Sequence, residues 1–241
     1  MKTRNLSLLL FLGLVLASCQ SDSARPYTPP TSEEIESQAE PAGTMSSQES
    51  LDIPSQGIKK SYSNTNRMIW QKPEMIQNLL GDISDKTVAD IGAGDGFFAK
   101  RLAQYAEKVI AIDVDPNFLA ELDSSVVMEV PEQFQNRIET RLATYTDPKL
   151  SPGEADIVLI VNTYVFLPNR VEYMRNIWQD LPEEGRVMII DFKKKRMPVG
   201  HVNSIKVPLF EVEAELLEAG FSQVQTNDTA LDYQYIIIAR K

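Results

Sequence analysis

Three glycines and an acidic residue lie close together in the middle of the chain. The segment from Asp90 to Gly96 has the pattern D-x-G-x-G-x-G and directly follows a short apolar run. Glycine lets the backbone turn sharply, and it lets a ligand approach the main chain within van der Waals contact. The pattern therefore predicts a ligand-binding loop, between a strand and a helix, that contains Gly92, Gly94 and Gly96.

A second acidic residue sharpens this prediction. Asp113 ends the next apolar run, and a carboxylate at the end of a second strand can accept hydrogen bonds from both hydroxyls of a ribose. Asp90 is placed to meet a cationic amino group, directly or through water. A glycine pattern alone is weak evidence, because similar loops bind nicotinamide dinucleotides. The sequence shows no second mononucleotide-binding half, which favours a different nucleoside-type cofactor.

The elements that must position these residues follow from the alternation of apolar runs and helix-like segments. That alternation predicts an α/β fold with a mostly parallel sheet, because parallel strands need crossover connections. The predicted strands are 87–91, 109–113, 138–143, 157–161 and 187–192, followed by a terminal pair at 222–225 and 233–240. The predicted helices are 97–106, 116–122, 170–180 and 210–219, the last closed by Gly220.

Residues from about Arg67 to Lys241 resemble a class I S-adenosylmethionine-dependent methyltransferase, and more narrowly the bacterial small-molecule-type methyltransferase domains. Besides the glycine loop, four spaced segments carry the resemblance: Arg67-Met68-Ile69-Trp70-Gln71-Lys72-Pro73, Val161-Asn162-Thr163-Tyr164, Asp191-Phe192-Lys193 leading to Pro198-Val199-Gly200, and Ala219-Gly220-Phe221 with Tyr233-Gln234-Tyr235. The resemblance implies a Rossmann-like, seven-stranded, mostly parallel sheet flanked by helices. It also implies S-adenosylmethionine as cofactor and transfer of its methyl group to a small-molecule acceptor.

The same resemblance assigns roles to individual residues. The implied cofactor-binding residues are Asp90, Gly92, Gly94, Gly96, Asp113 and Asp147. Asp147 or its neighbour Thr146 follows the third strand, where the superfamily often holds an acid near the adenine amino group. Trp70 either covers the cofactor site or is an ordinary buried aromatic residue.

The implied catalytic residues are Asn162, Tyr164 and His201. The first two leave the fourth strand at the edge where open α/β sheets bind ligands. Relatives often have a histidine pair after the Asn-Thr-Tyr segment, whereas this chain has Val165 and Phe166. That departure predicts a more apolar acceptor, and His201, the only histidine, could supply a general base from another loop.

The N-terminus resembles a bacterial lipoprotein signal. Lys2 and Arg4 precede an apolar run at 6–16, too short to span a bilayer of about 30 Å as a helix. Small residues then precede Cys19, the predicted lipidation site. The predicted organisation is a signal peptide at 1–18, a disordered tether at 19–57 and a methyltransferase domain at 58–241. Gln20 favours the outer membrane of the cell envelope.

Two alternatives stay open at this point. The N-terminus could be a plain helix or reflect a misplaced start codon, with translation from Met45 or Met68 giving a cytoplasmic protein. Because S-adenosylmethionine is made in the cytosol, the exported domain could also be a catalytically lapsed module that binds a nucleoside-like ligand. The net charge of −10 argues against a nucleic-acid partner. A single cysteine excludes an intramolecular disulfide and a cysteine-rich zinc site.

Overall fold

The computed structural model describes residues 67–241 and contains one seven-stranded sheet in the order β3-β2-β1-β4-β5-β7-β6. The strands are β1 Thr87–Ile91, β2 Lys108–Asp113, β3 Ile138–Leu142, β4 Ile157–Val161, β5 Arg186–Phe192, β6 Ser222–Asn227 and β7 Gln234–Arg240. The first five strands pair in parallel, and β7 lies antiparallel between β5 and β6. The predicted seven-stranded, mostly parallel sheet is confirmed.

Helices connect the strands and cover both faces of the sheet. They are α1 Arg67–Gln71, α2 Pro73–Leu80, α3 Ala99–Leu102, α4 Pro116–Glu129, α5 Glu132–Gln135, α6 Arg170–Asp180 and α7 Leu209–Ala219, with a 3₁₀ turn at Tyr164–Phe166. Two predicted helices differ from the observed ones by more than two residues at an end. The helix predicted at 97–106 is regular only over α3, because residues 97–98 and 103–106 form turns and a bend on either side of it. The helix predicted at 116–122 continues to Glu129, and the Asp115 side chain caps its start.

The hydrophobic core has two parts, one on each face of the sheet. One part packs α6 and α7 against the sheet through residues such as Met174, Ile177 and Leu216. The other packs α2, α3 and α4 through residues such as Leu80 and Leu122. All five residues of β4 are buried, as expected for a central strand covered on both faces.

The sheet has two distinct edges. The carboxyl edge is the side on which the five parallel strands end, and the glycine loop, Asp113 and Asn162 lie there. The amino edge is the opposite side, where Arg186 begins β5 and Arg240 ends the antiparallel strand β7. The predicted signal peptide and tether fall outside the described residues. Within 67–241, every helix is too short or too polar to cross a membrane.

Candidate cofactor and acceptor site

The three glycines of the loop after β1 have different structural roles. A Cβ atom on Gly92 would lie 2.2 Å from the Thr163 side chain, and one on Gly96 would lie 2.2 Å from Leu122. These two glycines let the loop pack against the end of β4 and against α4. Gly94, with a left-handed φ of 56°, has no atom within 4 Å of the position of a Cβ. Its main chain is therefore bordered by open space that a ligand can enter.

Asp113 faces the same loop from the end of β2. Its Oδ2 accepts a hydrogen bond of 2.8 Å from the Gly94 amide, and its Oδ1 accepts one of 3.0 Å from the Asp115 amide. Burial raises the pKa of Asp113, while these backbone amides oppose the rise. A carboxylate has about four acceptor positions. The side chain is thus held in place by the backbone and retains acceptor capacity beside the open space at Gly94.

Asp90 is the more deeply buried of the two acids. Burial raises its pKa to about 7, the positive charge of Arg67 opposes the rise, and the charge of Asp113 adds to it. The Arg67 guanidinium lies 4.0 Å above the centre of the Phe97 ring. The sequence places Arg67 in a family motif but does not predict this electrostatic role. Two buried acids beside one loop disfavour a phosphate-rich ligand and favour one that carries a positive charge.

Two of the predicted catalytic residues meet at the end of β4. Asn162 adopts a left-handed φ of 58°, which asparagine tolerates better than most residues. Its backbone oxygen lies 3.4 Å from Nε2 of His201, which the loop after β5 contributes. Its side-chain oxygen accepts a hydrogen bond of 2.5 Å from Gln234 of β7. The structure therefore brings Asn162 and His201 together and adds Gln234 to them.

A series of aromatic contacts extends from His201 along the carboxyl edge. The His201 ring lies edge-on to Phe166 at 5.0 Å and to Phe192 at 5.4 Å between ring centres. Trp70 lies 5.5 Å from Phe192, so the four rings form one aromatic wall. Burial lowers the pKa of His201, and its ring is therefore mainly uncharged at neutral pH. An uncharged imidazole can accept a proton.

Among the buried polar atoms of the described residues that lack a hydrogen-bond partner, two belong to residues of this site. They are the indole nitrogen of Trp70, a donor, and the side-chain oxygen of Gln234, an acceptor. Buried polar atoms in folded proteins are nearly always paired, so two unpaired atoms in one region call for an explanation. A bound ligand with both a donor and an acceptor group would satisfy them. The residues present thus fit a polar, partly aromatic or apolar ligand at this edge.

Tyr164 and Asp147 lie apart from these groups. Tyr164 is fully buried, and its hydroxyl donates a hydrogen bond of 2.7 Å to Glu215 of α7. Burial and the Glu215 carboxylate raise the pKa of Tyr164, so the structure gives this hydroxyl a partner in the core. Asp147 is half exposed and forms an ion pair of 2.6 Å with Lys149. The polar partners of these two residues are thus Glu215 and Lys149, and neither partner belongs to the group around Asn162 and His201.

Gln234 is, like Arg67, a residue of this site whose role the sequence did not predict. A polar residue at the start of the apolar run in β7 was the available signal, since such a strand should be apolar on both faces. Its pairing with Asn162, 72 positions earlier in the chain, depends on the placement of β7 beside β5. Pairing over that distance is a property of the tertiary structure.

Comparison with known proteins finds similarity to methyltransferases. Residues 89–189 match the model of a family described as a methyltransferase domain. The chain is 30% identical over 139 residues to the ribosomal RNA small subunit methyltransferase A of Koribacter versatilis (strain Ellin345). That match covers 58% of this chain and 40% of the relative, so the chain spans less than half of that protein's length.

Solved structures with the same fold include S-adenosylmethionine-dependent enzymes. A SAM-dependent methyltransferase from Aquifex aeolicus superimposes with a TM-score of 0.69 at 22% identity, over 76% of this chain and 96% of that chain. The phosphoethanolamine N-methyltransferase 2 of Haemonchus contortus, in complex with phosphomonomethylethanolamine and S-adenosylhomocysteine, superimposes with a TM-score of 0.59 at 14% identity, over 71% of this chain and 52% of that chain. The described residues have the class I methyltransferase fold. The family match supports a methyltransferase whose cofactor is S-adenosylmethionine.

Proposed function

We propose that the chain transfers a methyl group from S-adenosylmethionine to an apolar small molecule. The observation that carries this proposal is the open space at Gly94 beside the carboxylate of Asp113. The open space allows close approach to the main chain, and the carboxylate accepts ribose hydroxyls. When bound, the cofactor supplies a methyl group already activated by its positively charged sulfur.

The chain's own residues have three tasks in this reaction. Asp113 holds the ribose, and the negative charge of the Asp90 and Asp113 pair favours the cationic form of the cofactor over its neutral, demethylated product. The aromatic wall excludes water and orients the acceptor, because displacement at carbon requires the nucleophile to lie in line with the bond that breaks. Burial lowers the pKa of His201, which favours the uncharged ring, and this ring can accept the proton that the acceptor loses.

The proposed acceptor is apolar or aromatic and carries at least one polar group. Phe166 and Phe192 of the wall offer rings instead of charges, and the unpaired atoms of Trp70 and Gln234 can bind a polar substituent. A ribosomal RNA acceptor is a poorer candidate, although one relative is named for that substrate. An RNA acceptor needs a basic surface, and the chain has 34 acidic residues against 24 basic ones.

The test is turnover of methyl-labelled cofactor by the full-length chain against lipid, quinone and cell-envelope extracts. We expect label in an apolar product. His201→Ala should slow transfer by about a hundredfold or more if the ring accepts the proton, with little change in cofactor affinity. Val202→Ala is the matched control, because this neighbour is 67% exposed. Tight cofactor binding without transfer to any fraction would instead support the lapsed binding module.

We further propose that Cys19 is lipid-modified and anchors the protein in the cell envelope, with the outer membrane favoured. The support is the sequence alone, since Cys19 lies outside the described residues. Cys19→Ala should move the protein from the membrane fraction to the soluble fraction, and mass spectrometry of the N-terminus should find diacylated Cys19 in the wild type. A mature wild-type chain that begins at Met45 or Met68 would refute the anchor and explain access to cytosolic cofactor.

A further inference from the structure

A cleft opens at the amino edge of the sheet, away from the glycine loop. Its volume is about 390 Å³, and it lies between the end of α2 and strands β5, β6 and β7. We call it the amino-edge cleft. Arg186 and Arg240 line it, and the two residues are direct cross-strand partners of β5 and β7. Directly opposed residues of an antiparallel pair project from the same face of the sheet, which brings two positive charges together.

The two guanidinium groups retain most of their hydrogen-bonding capacity. Arg186 donates one side-chain hydrogen bond of 2.6 Å to the backbone oxygen of Leu80. Neither arginine forms an ion pair within 4.0 Å with any carboxylate of the described part of the chain. A guanidinium has five N–H donors in a fork that matches the oxygens of a phosphate or carboxylate. The cleft therefore presents a set of charged donors without an acceptor of opposite charge in contact.

The surroundings of the pair fit a small organic anion. Gln223 and Gln225 of β6 also line the cleft and can donate through their amides. Ile238 and Leu79 add apolar surface. β6 has an irregular register between Ser222 and Gln225, and Gln223 has a left-handed φ of 47°, so the strand departs from regular pairing beside the cleft.

Negative charges nearby limit the ligands that the cleft can accept. Asp82 lies on its exposed rim and accepts a hydrogen bond of 3.0 Å from the Ser84 amide. Asp156 attracts Arg186, but its Oδ2 accepts a hydrogen bond of 2.8 Å from the Thr87 amide. Lys241 takes no part, because its ammonium binds backbone oxygens of Gln179 and Leu181 at 3.1 and 2.6 Å. Two arginines match a phosphate dianion better than a singly charged carboxylate.

We propose that the amino-edge cleft binds a phosphate monoester through Arg186 and Arg240. The phosphate oxygens accept hydrogen bonds from both guanidinium groups, and the organic part lies against Ile238 and Leu79. Such a phosphate could belong to a soluble ester or to the headgroup of a lipid. The site is independent of the proposed methyl transfer, and it can exist whether or not the chain is an enzyme.

Calorimetric titration of the full-length chain tests the site, with Cys19→Ala in every sample so that no acyl chain contributes. The soluble probe is glycerol 3-phosphate at low salt. We expect Arg240→Gln to weaken its binding by about tenfold or more, because one charged set of donors is lost. Arg186→Lys should weaken it as well, since an ammonium lacks the fork geometry. Asp82→Asn should strengthen binding severalfold, because it removes a negative charge from the rim.

Arg175→Gln is the matched control, because the Arg175 guanidinium binds the Glu218 backbone oxygen at 3.2 Å, between α6 and α7. It should leave phosphate binding unchanged. A second arm measures binding to vesicles of phosphatidylcholine with and without phosphatidic acid, whose headgroup is a phosphate monoester. If binding to the anionic vesicles depends on Arg240, the phosphate belongs to a lipid headgroup. If only the binding of glycerol 3-phosphate depends on Arg240, the phosphate belongs to a soluble ester. If the wild type and Arg240→Gln behave alike with both probes, the proposal is wrong.

Discussion

The two edges of the sheet carry buried ionisable groups of opposite charge. At the carboxyl edge, burial raises the pKa of the carboxyl groups of Asp90, Asp113 and Asp191. At the amino edge, burial and the neighbouring Arg240 lower the pKa of Arg186. In both places the charged form is disfavoured, and a ligand of opposite charge would stabilise it. The carboxyl edge thus suits a cation, and the amino edge suits an anion.

The two edges also differ in construction. Loops form the carboxyl edge, because each parallel strand there leads into a connection that can vary in length. The amino-edge cleft depends instead on side chains within paired strands, whose spacing is fixed by the register of β5 and β7. A cofactor that enters a loop can therefore depend on a single backbone position. An anion at the cleft depends on two side chains and not on the backbone.

The largest expected effect is at that backbone position. Gly94→Val should abolish detectable binding of both S-adenosylmethionine and S-adenosylhomocysteine, a loss of at least about a hundredfold. The new side chain would occupy the open space beside Asp113, and valine is strained at a φ of 56°. Calorimetry with both ligands measures the effect.

A second glycine separates the lost space from the backbone strain. Gly153 has a φ of 72° and also no atom within 4 Å of a Cβ, but it lies before β4, at the amino edge. Gly153→Val should lower the unfolding temperature about as much as Gly94→Val does. It should leave the affinity for the cofactor unchanged. Equal loss of binding in the two variants would mean that Gly94 acts through folding and that the loop is no cofactor site.

The next effect concerns the ribose. Asp113→Ala should weaken cofactor binding by about ten- to a hundredfold, or about 1.5–3 kcal/mol, because a charge-assisted contact to two hydroxyls is lost. The same variant should leave phosphate binding at the amino-edge cleft unchanged. Thermal unfolding without ligand reports separately the loss of the hydrogen bonds to Gly94 and Asp115. Unchanged cofactor affinity in a folded Asp113→Ala protein would leave Asp113 with a structural role only.

A third effect is a dependence of stability on pH at the carboxyl edge. Burial raises the pKa of Asp191 from 3.8 to about 7, so the folded state takes up a proton that the unfolded state has released. The free energy of unfolding should therefore fall as the pH rises from about 4 to about 7. The amide in Asp191→Asn cannot ionise. The free energy of unfolding of this variant should therefore fall less between about pH 4 and about pH 8 than that of the wild type, by about 2 kcal/mol.

Urea unfolding of both proteins at several pH values measures the difference. The control is Asp85→Asn, because the Asp85 side chain is 74% exposed. It should shift stability little at any pH. A stability difference between wild type and Asp191→Asn that is the same at about pH 4 and about pH 8 would show that Asp191 does not titrate as burial requires.

The sequence predicted the sheet well and the site only in part, for identifiable reasons. Strands such as β4 are continuous apolar runs, so local pattern was sufficient to predict them. Asp90, Asp113 and the glycines lie within 24 consecutive residues, so local pattern also predicted that they lie close together. The contact of Asn162 with Gln234 joins residues far apart in the chain and depends on the antiparallel placement of β7. Tyr164 follows Asn162 closely, yet the 3₁₀ turn directs its hydroxyl to Glu215.

The smallest expected effect tests whether the arginines repel each other when no ligand is bound. Like charges directly opposite on an antiparallel pair destabilise a sheet, by roughly 0.2–1 kcal/mol. Arg240→Gln should therefore raise the free energy of unfolding by about that amount at low ionic strength. Added sodium chloride should reduce the gain, because salt screens the repulsion between partly exposed charges. Urea unfolding at low and high salt measures it, with Arg175→Gln as the matched control. If Arg240→Gln is less stable than the wild type at low salt, then a group of this chain already neutralises Arg240, and the amino edge lacks the charge imbalance that distinguishes it from the carboxyl edge.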